Sequence, residues 1–513
     1  MTESNSSHPL FQPASEANQT LRKNVAPPDW PNPTPAERYN VVVIGAGSGG
    51  LVTAAAVAGL GGKVALIEKH ALGGDCLNVG CVPSKALLSA AKQIAAARKT
   101  KDSPFLKHSA PEVDFSALME NMRELRAQIA PHDSAERFRD LGVDIFFGEA
   151  KFKDRETVTV RGQDLKFAKA VVATGGRAIV LPVPGLAEAG ALTNETLFSL
   201  TEQPESLAII GAGPIGCEMA QAFTRFGTKV TLFESECRIL PREDTEASEI
   251  VRAQLHEEGV VSRCEVALKK VEKQEDGQRV ITLEHEGKTE TLTFAEVLVG
   301  VGRAPNVEGI GLETVGVEFD KRAGIKVNER LQTTNPKIFA IGDVAMKYKF
   351  THMAGATARL VIQNALFGGR KKHTDLLVPW CTYTQPEIAH VGLYENEAKE
   401  KYGENAQTFT QPFAEMDRNI VEEKTKGFVK VHAHNGRIVG ATIVGENAGD
   451  LISEITVAMQ AGMKLGTLSN VIHPYPTAAE AIQRIGDAYN KTRFTPFLQK
   501  AFRWWLKRSR GGV

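Results

Sequence analysis

Gly73-Gly-Asp-Cys-Leu-Asn-Val-Gly-Cys-Val-Pro-Ser-Lys85 is the stretch on which the reading of this chain turns. Two cysteines, Cys76 and Cys81, stand in it with four residues between them. In a regular helix their Cα atoms would lie roughly 8–9 Å apart, from about 1.5 Å of rise and 100° per residue. A disulfide needs about 7 Å or less. A bonded pair therefore requires a distended turn, with Gly80 supplying unusual dihedrals. Beyond it, Lys85–Arg98 is predicted to be a helix from its alanine- and leucine-rich composition. The positive N-terminal end of that helix favours a thiolate over a thiol. On its own the pair reads as well as a structural disulfide, or as two buried thiols in a reducing cell, as it does as a working redox pair.

Working outward, the surroundings argue for electron transfer. Tyr39-Asn-Val-Val-Val-Ile-Gly-Ala-Gly-Ser-Gly-Gly50 is a β-branched strand that runs into Gly45-x-Gly47-x-x-Gly50, followed by a small-residue helix and the strand Lys63–Glu68. Gly45 permits the tight turn, Gly47 lets a pyrophosphate approach the backbone, and Gly50 lets helix and strand pack. Glu68 can accept from a ribose hydroxyl. The design repeats at Leu207-Ala-Ile-Ile-Gly-Ala-Gly-Pro-Ile-Gly216, with Gly211, Gly213, Gly216 and the acid Glu234. Each acid follows its first glycine by 23 positions. Two such fingerprints imply two dinucleotides, unless one is a degenerate relic. A thiol pair beside a bound dinucleotide is a device for moving electrons.

From Tyr39 to about Gly486 the chain resembles the flavin-dependent pyridine nucleotide–disulfide oxidoreductases, which include lipoamide dehydrogenase, glutathione reductase and mercuric reductase. Val171–Gly176, with Gly175, resembles the strand end that closes the FAD domain. Gly300–Asn306, with Gly302, resembles the segment that returns from the second domain. Ile338–Asp343 resembles the strand whose Asp343 contacts the flavin's ribitol and pyrophosphate region. The resemblance implies an α/β fold with two Rossmann-like domains and a C-terminal α+β domain. It implies a discontinuous FAD-binding domain at 39–185 and 307–376, an NAD(P)-binding domain at 186–306, and a dimerisation domain at 377–490. It further implies FAD at the first fingerprint and NAD(P)H at the second, a redox-active Cys76–Cys81 disulfide, and a Lys85–Glu218 ion pair beside the flavin. Cys76 would be the interchange thiol and Cys81 the charge-transfer thiolate. Glu234 favours NADH over NADPH because a carboxylate repels a 2′-phosphate, although Arg238, four residues on, can accommodate one.

Thr382–Leu393 resembles the opening of the family's dimerisation domain, in which a homodimer shares its active site between subunits. Phe428–His432 and Arg437–Val444, joined through Asn435-Gly436, read as a hairpin, and Leu451–Met463 reads as a helix. The departure from the family lies in Ile472-His-Pro-Tyr-Pro-Thr-Ala-Ala-Glu480. Disulfide-reducing relatives place a histidine directly before Pro-Thr and a glutamate five residues later. Here Glu480 is kept but the histidine position is Tyr475, as in mercuric reductases. A tyrosine, with an ordinary pKa of about 10, is a poor proton shuttle at neutral pH. His473, two residues earlier, is either a displaced acid–base group or a structural histidine satisfied by Glu480 or backbone. No cysteine follows Cys381, so the vicinal pair with which mercuric reductases end is not matched, and neither is an N-terminal CxxC domain.

Composition bounds the rest. The 513 residues exceed one core, so two to four domains are expected. Lys plus Arg equals Asp plus Glu at 61 each, which gives no electrostatic case for a nucleic-acid partner. Six scattered cysteines and the lack of a signal-like opening or a long apolar run suit a soluble cytoplasmic enzyme, and no metal site is expected. Residues 1–38, rich in Ser, Asn and Pro, read as an extended or disordered arm. The tail 491–513 combines Phe497, Phe502, Trp504 and Trp505 with Lys500, Arg503, Lys507, Arg508 and Arg510. It reads either as a helix docked on its own dimer or as a weak contact with an anionic membrane surface. The functional reading is an NAD(P)H- and FAD-dependent enzyme that passes electrons through Cys76 and Cys81 to a metal or other non-disulfide acceptor. The alternatives are a disulfide reductase of the dihydrolipoamide dehydrogenase kind and a thiol-based redox sensor.

Overall fold

The computed structural model describes residues 8–100 and 111–510. The chain divides into two compact units, one running to Arg238 and resuming over Glu258–Leu376, the other made of Ile239–Glu257 and the chain from Leu377 onward.

In the first unit, strand Tyr39–Ile44 lies at the centre of a seven-stranded sheet. It pairs in parallel with Val64–Glu68 on one side and Gln163–Val172 on the other. Val143–Phe147 extends the sheet beyond Val64–Glu68, and Ile338–Ala340 adds in parallel to Gln163–Val172. The central strand is buried on both faces, which explains its run of valines. A second, four-stranded parallel sheet is ordered Val261–Arg263, Lys229–Phe233, Ser206–Ile210, Glu296–Val299. Its order reflects the same strand–helix–strand logic, with helix Pro214–Phe226 following the second glycine turn. Three antiparallel strands, Ala267–Lys273, Arg279–His285 and Lys288–Phe294, complete this part. Gly176–Ala178 and Arg303–Pro305 pair with each other, so the outgoing and returning chain segments cross side by side.

Within the expected arm 1–38, Pro9–Phe11 and Glu16–Val25 are helical rather than extended. Helix Glu16–Val25 is capped by Ser15, whose hydroxyl accepts from the Asn18 amide, and it buries Leu21 and Val25 completely. Its other anchor is polar. Arg126, 1% exposed on helix Phe115–Ile129, donates to Asn18 Oδ1 and to the Asn78 carbonyl, both at 2.6 Å. The apolar face at Ala17, Leu21 and Val25 offsets the entropy of ordering the helix, and the Pro-rich stretch after it is tied to strand Val143–Phe147 by Trp30 and Asn32. Residues 1–7 of the expected arm lie outside the described residues.

In the second unit, five antiparallel strands run in the order Pro379–Thr382, Glu387–Gly392, Arg437–Gly445, Phe428–His434, Ala406–Pro412. The hairpin turn is made by Asn435 and Gly436 at φ 50° and 76°, the left-handed pair that an Asn-Gly turn demands. The helix expected at 451–463 spans Ala448–Gln460, and Glu480–Thr492 supplies another buried stripe through Ala481, Ile482 and Ile485. Residues 239–257, expected within the nucleotide domain at 186–306, group with this unit instead. The cause is a set of polar anchors. Glu243 accepts from Trp380 Nε1 at 2.9 Å and the Tyr394 hydroxyl at 2.8 Å, while buried Lys430 pairs with Asp244 and Glu246 at 3.1 and 2.9 Å. The tail forms helix Pro496–Arg510, in which no residue is buried. Among the described residues no helix is long and apolar enough to cross a membrane.

Candidate redox site

The two cysteines occupy two helices with a break between them. Gly74–Asn78 is one helical turn carrying Cys76, and Cys81 opens the long helix Cys81–Lys99. The helix expected from Lys85 thus begins four residues earlier, which puts Cys81 itself at the positive end of the peptide dipoles. Val79 and Gly80 make the break, and a Cβ on Gly80 would lie 2.8 Å from the Asp75 carbonyl. Only hydrogen fits there without pushing the two cysteines apart.

Cys76 and Cys81 stand as free thiols in the structure. They are hydrogen-bonded to each other, and this coupling splits their acidities. The bond from Cys76 is the main cause that pulls Cys81 down to about 6; the Thr351 hydroxyl and the charge of Lys85 add to it. Cys76 is driven the opposite way, well above the ordinary thiol range, by that same bond and by burial. Thr351 Oγ1 stands 3.2 Å from the Cys81 sulfur. Lys85 Nζ meets Glu218 Oε2 at 2.9 Å, with the Glu218 side chain 5% exposed.

The first glycine loop is fastened to this redox turn. Gly73 donates its amide to the Ala46 carbonyl at 2.9 Å, and Gly47 and Gly73 form a parallel bridge. Gly74 at φ 54° comes so close to Gly47 that a Cβ would sit 2.6 Å from its Cα. At Gly50 a Cβ would fall 1.8 Å from the Gly45 carbonyl, and at Gly216 it would fall 1.9 Å from that of Gly211. Gly213 has open space around it. Glu68 accepts from the Ala46 and His70 amides, both at 2.8 Å, and burial raises its pKa. Backbone amides, an open approach and an acid at the next strand end fit a dinucleotide at each fingerprint. Glu234 is buried at the end of Lys229–Phe233.

Asp343 and Gly302 come together through Arg303, which carries no motif of its own. Arg303 donates to Asp343 at 3.2 Å, to the Gly176 carbonyl at 2.6 Å, and to Asp75, one residue before Cys76. It thereby clamps the returning segment, the flavin-domain strand end and the redox turn. Burial still raises the Asp343 pKa more than Arg303 lowers it. Gly175, at φ 69°, turns the chain beside this clamp. Arg303 lies within Gly300–Asn306, but its partners are distant in sequence. Thr351 carried no motif at all.

Tyr475, Glu480 and His473 belong to the other unit. The Tyr475 side chain is 71% exposed, and its hydroxyl donates to Asp417 at 2.8 Å, which raises its pKa. Glu480 accepts from the Thr477 amide at 3.2 Å. The His473 partner is not Glu480. Its Nε2 meets Glu454 at 2.9 Å and its Nδ1 meets the Val471 carbonyl at 3.0 Å, because the segment Ile472–Pro476 turns the ring back onto helix Ala448–Gln460. Both ring nitrogens are occupied.

This architecture is shared with known proteins. Residues 39–358 match the pyridine nucleotide-disulphide oxidoreductase family, and residues 378–485 match its dimerisation domain. The chain is 36% identical over 458 residues to a mercuric reductase of Staphylococcus aureus, covering 88% of this chain and 83% of that one. It is 36% identical over 445 residues to a dihydrolipoyl dehydrogenase of Geobacillus stearothermophilus, covering 86% and 93%. Among solved structures it resembles the Cu(II) complex of the HOCl-induced flavoprotein disulfide reductase RclA from Escherichia coli, with a TM-score of 0.78, 28% identity and coverage of 86% and 98%. The cradle of glycines, the polarised thiol pair and these likenesses agree, and the chain belongs to the FAD-dependent pyridine nucleotide–disulfide oxidoreductases.

Proposed function

We propose that the enzyme uses NADH to reduce an acceptor that is not a disulfide, with a soft metal ion as the favoured class. The observation that carries this reading is the proton inventory of Ile472–Glu480. Reducing a disulfide requires a group that protonates the leaving thiolate near neutral pH. Tyr475 has its pKa raised by Asp417, and His473 is engaged at both nitrogens. A soft cation needs no such proton. It needs two sulfur ligands, and Cys81 as thiolate beside Cys76 provides them. The names of relatives that act on mercury or hold Cu(II) support the same class.

FAD, when bound, supplies a two-electron carrier between a nicotinamide hydride and sulfur. The residues of the chain divide the remaining work. Gly45, Gly47 and Gly50 leave room for pyrophosphate, Arg303 holds Asp343 and Asp75 in register, and Lys85 keeps positive charge near Cys81. Glu234, at the second fingerprint, favours the two free hydroxyls of NADH. A kcat/KM higher for NADPH than for NADH would shift that role to Arg238. The exposed phenol of Tyr475 suits a site completed across a homodimer, consistent with the dimerisation domain. The deciding experiment supplies the FAD-loaded protein anaerobically with NADH and compares Hg(II), Cu(II), lipoamide, oxidised glutathione and quinones. A metal ion reduced faster than either disulfide is expected; the reverse order would place the enzyme with the disulfide reductases.

A further inference from the structure

A second pair of cysteines lies at the other nucleotide site. Cys237 and Cys264, 27 residues apart in sequence, are joined by a disulfide with Cα atoms 4.9 Å apart. Strands Lys229–Phe233 and Val261–Arg263 run side by side in parallel, with Arg263 opposite Phe233. The Glu234 amide donates to the Arg263 carbonyl at 3.0 Å. Cys264 follows that arginine directly, and Cys237 follows Glu234 by three residues. The bond therefore ties the carboxyl ends of two neighbouring strands, the edge at which open parallel sheets receive a nucleotide. On one side of the bond the backbone is set by a left-handed residue, Glu265 at φ 55°. On the other side Ser235, Glu236 and Cys237 are exposed. Cys264 is half-buried, so a reductant reaches the bond from solvent.

We propose that Cys237–Cys264 is a thiol–disulfide modification site that sets affinity for the adenosine half of the nicotinamide nucleotide. This rests on the reading of the second fingerprint as the NAD(P)H site. The segment Ser235–Arg238 flanks Glu234 and includes Arg238, the two side chains that discriminate at the ribose. While the bond is closed, Cys237 is pinned to the adjacent strand end and the segment is ordered before nucleotide arrives. A dithiol opens it by exchange. One reductant thiolate attacks a sulfur of the pair to give a mixed disulfide, and the reductant's second thiolate displaces the remaining cysteine. Two electrons and two protons pass to Cys237 and Cys264, and the dithiol leaves as its own disulfide. Once the segment is released, the cost of ordering it falls on binding, and affinity drops. Nucleotide loading then follows the thiol state of the surroundings, independently of Cys76 and Cys81.

The test uses ADP-ribose, which carries the adenosine half and donates no hydride. Its binding to the full, FAD-loaded chain is measured by calorimetry, with and without anaerobic dithiothreitol, and alkylation with mass spectrometry reports each cysteine. Oxidised wild type is expected to bind about fivefold tighter than the reduced form, the ordering cost now being carried by binding. The double variant Cys237→Ser, Cys264→Ser should show the weak affinity in both conditions, which assigns the change to this bond. Unchanged wild-type affinity while Cys237 and Cys264 are both alkylated overturns the proposal. So does a double variant that still responds to the dithiol, or a wild type whose two thiols are free before any reductant. Absence of ADP-ribose binding in every form would instead sink the underlying reading of the fingerprint, a pattern distinct from equal binding by all forms. The wild-type comparison stands even if the double variant misfolds.

Discussion

Cys81 owes its acidity to three neighbours that the chain brings to one point: the Cys76 thiol, the Thr351 hydroxyl and the Lys85 ammonium. Because its pKa is lowered, the thiolate is present above about pH 6 and is lost as pH falls through that value. The long-wavelength absorbance of the two-electron-reduced holoenzyme should fade over the same range. Cys81→Ser should abolish it with FAD retained, and Cys76→Ser should keep a thiolate while stopping turnover. Wild-type rates in both variants would make the pair structural. At Tyr475 the expectation concerns substrate. General acid–base catalysis contributes about 10²–10⁴-fold, so Tyr475→His should raise lipoamide reduction by about tenfold or more and leave metal reduction no faster. His473→Ala should barely matter; a collapse of wild-type disulfide reduction in that variant would show that His473 is the donor. These residues differ in how far the sequence reveals them. Cys76, Cys81 and the fingerprint glycines are legible because their roles depend on local spacing. Arg303 and Thr351 are not, since Arg303 acts through partners 40 to 228 positions away and Thr351 through one 270 away, where no periodicity reaches.

At the scale of elements, the break at Val79–Gly80 is what sets the cysteines facing each other. Gly80→Ala pushes a methyl against the Asp75 carbonyl, and overpacking of this kind costs about 1–3 kcal/mol. The melting temperature should fall, and the Cys81 pKa should climb back toward the free-thiol value of about 8.5 as the Cys76 bond lengthens. A Cys81 titration unchanged from wild type would mean that the helix break does not position the thiols. The parallel strands and their glycine turns were legible because backbone contact dictates glycine there. The helix Glu16–Val25 carried its signals too, in Ser15 and the spacing of Ala17, Leu21 and Val25. The run of prolines from Pro27 to Pro35 dominated the composition of the window and masked them. The Cys237–Cys264 bond had no local signature, because two strand ends meet only once the sheet has formed.

For the molecule as a whole, the family's dimerisation domain presents bare apolar side chains, Ile472 at 93% and Val457 at 66% exposure. In a dimerisation domain such side chains are the ones to test at the subunit interface. Val457→Asp should shift the protein toward monomer in sedimentation velocity and reduce turnover, with FAD still bound. A variant that stays dimeric at full activity would move the interface elsewhere. The bond network around Arg126 has a practical side. The first strand starts at Tyr39, and that is where a cloning boundary drawn from the fingerprint would fall. Cutting there removes both Asn18 and Leu10 from a guanidinium that is 1% exposed and that also donates to Asn78, at the end of the turn holding Cys76. Leaving a buried guanidinium short of its hydrogen-bond acceptor costs about 1.5–3 kcal/mol. Trimmed versions of this protein would thus arrive at the bench with a loosened cysteine turn, and a poor rate measured on one would report the choice of boundary rather than the catalyst.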